Sequence, residues 1–155
     1  MSLYIILKTL HILCSTVLFG TGLGSAYYAL RAWRSANVAV IASTFRHLVF
    51  ADWAFTATAA VFQPLSGLGL AHLAGWPLQS PWLVWSLGLY VFAGLCWLPV
   101  VWLQIRVHRL AETALAQGTA MPLQARRYMA WWFGLGWPAF LAFIAIFYLM
   151  VGKTL

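Results

Sequence analysis

Two ionisable side chains sit inside the first apolar run of this sequence, Lys8 and His11, and they are the residues best suited to chemistry. An ionisable group at membrane depth is costly to bury, so its presence is by default a functional hypothesis. A spacing of three puts them on one face of a helix, and Ser15 and Gly22 continue that face. Gly22 lies eleven residues beyond His11, just over three whole turns and about 16 Å along a helix. A missing side chain beneath an imidazole leaves space for a flat macrocycle, and a b-type haem takes such an imidazole between the helices of a bundle. In that chemistry His11 ligates the haem iron and Lys8 holds a propionate or an anionic substrate. Electrons then pass to a quinone or another electron-transfer partner. His72, at the end of the second span on the side where the first begins, is the candidate second ligand. The alternative is structural: His11 is an interhelical hydrogen-bond partner, Gly22 permits close packing, and His72 is an interfacial polar tip.

The second span carries a polar stripe of Asp52, Thr56 and Gln63, with Pro64 breaking the backbone ladder beside Gln63. Such residues must face protein or water. Asp52 is the only acid within a span, and the pattern places it about one turn in from an arginine-rich end, where Arg31, Arg46 or Arg106 would pair with it. It is either a proton acceptor or an anchor favoured by a helix N-terminus. His47 and His108 neighbour arginines and read as headgroup-level side chains. Gly67 and Gly69, like Gly20 and Gly24, read as small-residue packing contacts. Tyr90, Gly94, Trp97 and Val101 share a face of the third span, either as core or as a wall for a flat cofactor. No HExxH, CxxC or paired-carboxylate pattern occurs, which removes the zinc-protease, thiol-redox and glycosidase classes.

The helices that carry these residues follow from composition. Of 155 residues 64% are hydrophobic, against nine Lys or Arg and two acids. A soluble domain carries about 25% charged residues, so this is an integral membrane protein. A span takes roughly 20 residues, and apolar runs occupy about 3–30, 48–73, 82–103 and 128–151. The expected fold is all-α, a four-helix transmembrane bundle forming a single domain over 1–155, with the lipid bilayer as its first partner. Arginines gather in the 32–47 and 104–127 connections, whereas 74–81 has no charge and turns tightly through Pro77 and Pro81. The positive-inside rule then puts the arginine-rich connections in the cytoplasm and both termini outside. Residues Ala111 to Gln117 read as a short surface helix ended by Gly118. A formal charge of +7 held at helix ends is not the solvated basic patch that nucleic acid requires. Small-residue faces suggest a homo-oligomer.

Several segments carry a resemblance: Leu7-Lys-Thr-Leu-His-Ile-Leu13, Phe19-Gly-Thr-Gly-Leu-Gly24, Ala51-Asp-Trp53, Gln63-Pro-Leu-Ser-Gly67, Cys96-Trp-Leu-Pro-Val-Val-Trp102 and Gly136-Trp-Pro138. They resemble a bacterial family of predicted integral membrane proteins known only as a domain of unknown function, which implies a bacterial inner-membrane location. More distantly, the opening Leu-Lys-x-Leu-His-Ile and the four-helix layout resemble the HemJ-type protoporphyrinogen IX oxidase, a haem-binding membrane protein. That resemblance implies a functional role for His11. The sequence departs from it afterwards: Gly22-Leu-Gly-Ser-Ala-Tyr replaces the Tyr-Leu-Pro-Arg continuation, and the Gly94 to Trp97 region replaces the histidines of the third helix.

Overall fold

The structure, a computed structural model, describes residues 2–153, and all regular elements among them are helical. Helix α1 runs Leu3–Arg34, α2 Val38–Ala51, α3 Thr58–Leu73, α4 Pro81–Gln117 and α5 Leu123–Gly152. Helices α2 and α3 are joined without a break by a π-helical segment, Asp52–Ala57, so four rods are long and apolar enough to cross a membrane. The chain is an all-α four-helix transmembrane bundle.

The rods extend beyond the apolar runs at the arginine-rich end. Residues 32–47 shrink to a turn of three residues, Ser35 to Asn37, in which Ala36 takes a left-handed φ of 53°. Asn37 caps α2, its side-chain oxygen accepting from the Ala39 and Val40 amides at 3.0 and 3.2 Å, as an N-cap should. Ala111 to Gln117 is the end of α4 and no separate helix; Gly118, at φ 64°, stops it in the left-handed conformation expected of a helix terminator. The extension follows from amphipathic spacing. In α2, Ile41, Ala42, Phe45 and Leu48 are buried while Ser43, Arg46 and His47 are exposed, a soluble-type helical stripe.

That stripe packs into the main core with Ala29 and Ala32 of α1, Leu103, Val107 and Ala111 of α4, and Met129 and Trp132 of α5. The bundle is therefore tightest at its arginine-rich end. Toward the other end α1 pairs with α3, and α4 pairs most extensively with α5. Aromatic rings fill the space between the two pairs: Phe19 stacks on Phe140 at 5.1 Å and meets Phe147 edge-on at 5.5 Å. A smaller cluster of Ala71, Trp82 and Leu83 closes that end.

Candidate functional site

The polar side chains of the interior form two layers. The first is built on the segment Gln63-Pro-Leu-Ser-Gly67 of α3. His11 Nδ1 lies 2.8 Å from the Ser66 hydroxyl, and the Gln63 amide nitrogen lies 3.1 Å from His11 Nε2. Ser66 also contacts the carbonyls of Phe62 and Gln63 at 2.9 and 3.0 Å. Each ring nitrogen therefore has a side-chain partner, and both of these bonds end on α3.

Three further features of this segment serve the same layer. Gly67 gives the imidazole its room, because a Cβ there would lie 3.1 Å from His11 Cε1. Pro64 has no N–H for the Ala60 carbonyl one turn earlier, and the Tyr90 hydroxyl donates to that carbonyl at 2.7 Å. The proline gap in α3 therefore becomes a tie to α4. In a bilayer no water would fill it. The Gln63 side-chain oxygen is buried without a hydrogen-bond partner among the described residues.

The second layer sits nearer the arginine-rich end, on the π-helical segment. Asp52 and Thr56 are buried there, and the Thr56 hydroxyl donates to Asp52 Oδ1 at 3.1 Å. Gln104 of α4, only 1% exposed, donates from its amide nitrogen to Asp52 Oδ2 at 2.7 Å and accepts the Trp132 indole N–H of α5 at 3.2 Å. One chain of hydrogen bonds thereby joins three rods. A π turn takes in an extra residue and so shifts the faces of α3 relative to those of α2.

These layers redraw the site expected from sequence. His11 and Gln63 come together, yet Gln63 leaves the Asp52 and Thr56 stripe to do so. Lys8 is exposed, 5.7 Å from the Tyr4 ring on its own helix. Ser15 donates to the Ile12 carbonyl at 2.7 Å and takes no part. Gly22 is exposed with open space at its Cβ position, as are Gly20 and Gly24 in that second respect; the glycine under the imidazole is Gly67 of another helix. His72 is exposed at the end of α3, six residues past Ser66, about 9 Å along the axis. Asp52 pairs with an amide and not an arginine, because Arg31, Arg46 and Arg106 are exposed. It also comes after fourteen residues of α2, about 21 Å of helix, which removes any helix N-terminal effect. Ser66, Gln104 and Trp132 are the members that sequence reasoning missed. Among the described residues no group of three His, Cys, Asp or Glu could hold a metal ion.

Four long apolar helices tied by buried hydrogen bonds define an integral membrane protein. The chain belongs to the family described as predicted integral membrane protein (DUF2269), whose model matches residues 5–154. No curated protein and no solved structure matches it.

Proposed function

We propose that the chain is a non-enzymatic membrane protein, a scaffold or small transporter subunit, whose polar interior fixes the packing of its helices. One observation carries this reading: both ring nitrogens of His11 are engaged by α3, at 2.8 and 3.1 Å. A ligand to iron needs one nitrogen free. The Asp52, Thr56, Gln104 and Trp132 chain supports the same role, since within lipid a polar side chain does best with a partner on a neighbouring helix. The protein forms one membrane domain of a bacterial inner membrane, with the arginine-rich helix ends in the cytoplasm and both termini outside. The open α1 surface at Gly20, Gly22 and Gly24 would admit a second copy.

A second reading keeps haem b on His11, with electron exchange to a quinone or a partner protein. The unpartnered Gln63 oxygen favours it, because a side chain with an unmet bond rearranges more readily than one fully paired. It requires Gln63 to leave Nε2, and His72 as a second ligand to come in from the exposed end of α3.

Haem titration of the purified full chain separates the two. Under the structural reading no Soret band appears with added haemin, and His11→Gln lowers resistance to unfolding. A Soret band that His11→Gln abolishes, with the fold retained, would establish the second reading instead.

A further inference from the structure

One line of residues along α4 changes character at the arginine-rich end. Leu95, Leu98 and Trp102 are 64%, 60% and 52% exposed, and their spacings of three and four continue to Arg106, Arg109 and Thr113. All six therefore share one helical face. An outward apolar strip thus runs directly into two guanidinium groups.

A cavity of about 140 Å³ lies where the strip ends, between α4 and α5, lined by Arg106, Arg109, Leu110, Thr113, Gln124 and Tyr128. No acid lines it. Glu112 contacts His108 at 3.5 Å, and among the described residues no carboxylate lies within 4 Å of either arginine of the cavity. Arg106 is held over the Trp102 ring at 5.5 Å, and Trp102 meets Tyr128 edge-on at 5.7 Å. The Gln124 amide donates to the Tyr128 hydroxyl at 2.6 Å, which leaves the phenolic proton free to donate into the cavity. Two cations and a hydroxyl donor therefore face one space that offers them no anion.

We infer that this face of α4 binds an anionic phospholipid, with its phosphate at Arg106, Arg109 and Tyr128 and an acyl chain along Leu95, Leu98 and Trp102. Guanidinium groups match phosphate oxygens through charge-assisted hydrogen bonds. The continuous apolar strip is what selects a lipid over free phosphate, which would leave it unused. A choline headgroup would bring its ammonium against the guanidiniums, so the ligand is net anionic. The site is separate from both interior layers and stands whether or not His11 has a structural role.

Native mass spectrometry of the full chain, titrated in detergent with dioleoylphosphatidylglycerol, tests this. At about 1 kcal/mol per basic residue near a membrane surface, Arg106→Gln with Arg109→Gln should weaken the lipid about thirtyfold. Arg126→Gln with Arg127→Gln removes the same charge from exposed positions outside the cavity and should leave affinity within about twofold. Dioleoylphosphatidylcholine should bind more weakly, and inorganic phosphate at millimolar concentration should not displace the lipid. Equal losses in the two double variants would show diffuse surface attraction and overturn the site. Displacement by inorganic phosphate would overturn the lipid assignment in favour of a free oxyanion. Should the Arg106 and Arg109 variant fail to fold, Tyr128→Phe decides: it keeps every charge and should still weaken binding severalfold, and unchanged binding would count against the site.

Discussion

The clamp on His11 leaves no slack, and Gly67→Ala measures it. A Cβ at position 67 would lie 3.1 Å from His11 Cε1, 3.8 Å from Nδ1 and 3.9 Å from Nε2. The imidazole cannot retreat without lengthening its bonds to Ser66 and Gln63. Forcing an extra methyl group into a fitted contact costs about 1–3 kcal/mol. Replacing glycine by alanine in a helix returns roughly 0.8–1.0 kcal/mol. Each interhelical hydrogen bond that loosens adds about 0.6 kcal/mol to the loss. The expected net destabilisation is about 0–2 kcal/mol from the steric and helix-propensity effects, rising to about 1–3 kcal/mol when both hydrogen bonds loosen. Gly22→Ala is the matched control, since its Cβ would meet nothing within 4 Å; it should be neutral or stabilising by up to about 1 kcal/mol. Unfolding of the purified protein by sodium dodecyl sulfate in mixed micelles, followed by tryptophan fluorescence, reads both. Two equally benign variants would refute a close contact between the Gly67 backbone and the imidazole.

Further expectations concern the ties to α4 and the orientation. Tyr90→Phe leaves the Ala60 carbonyl unpaired and should cost about 0.6–1.7 kcal/mol in the same assay; combined with Pro64→Ala, which restores an N–H to that carbonyl, the penalty should vanish, and additive losses would contradict the link. Asp52→Ala strips the acceptor from Thr56 and Gln104 and should destabilise by about 1–3 kcal/mol; Asp52→Asn keeps a side-chain oxygen and should cost less, and the reverse ranking would count against the network. Reporter fusions active only outside the cytoplasm should be active at both termini, and a C-terminal fusion active only inside would overturn the orientation.

The four spans were legible because lipid demands long apolar runs and the chain has four. Their ends were not, since Arg31, Arg34, Asn37 and Arg46 look like a loop when hydropathy alone is read. The helix through Arg46 is held by a soluble-type stripe of Ile41, Ala42, Phe45 and Leu48 facing the core. The same boundary concealed Gln104: placed at the start of a connection it looked solvated, whereas α4 continues thirteen residues beyond it and buries it against Asp52. His11 stood out because an imidazole inside a span always does. Ser66 did not, because a lone serine in an apolar helix commonly bonds back to its own backbone; Ser66 does so too while also meeting His11. Pro64 was legible as a break in hydrogen bonding, but only the packing of α4 against α3 reveals that Tyr90 fills it. The pairing of His11 with Gln63 depends on the angle between α1 and α3, which periodicity within one helix does not encode.

The structural role of the interior stands or falls with His11 held at both ring nitrogens by α3. Nitrogen-15 solid-state NMR of the bilayer-reconstituted protein tests it directly, with His47, His72 and His108 replaced by Gln so that one ring is observed. The expected spectrum has both ring nitrogens shifted by hydrogen bonding, with Nδ1 near Ser66 and Nε2 near the Gln63 amide. Signals of a ring free at either nitrogen, or an Nε2 resonance displaced by coordination to iron, would contradict it.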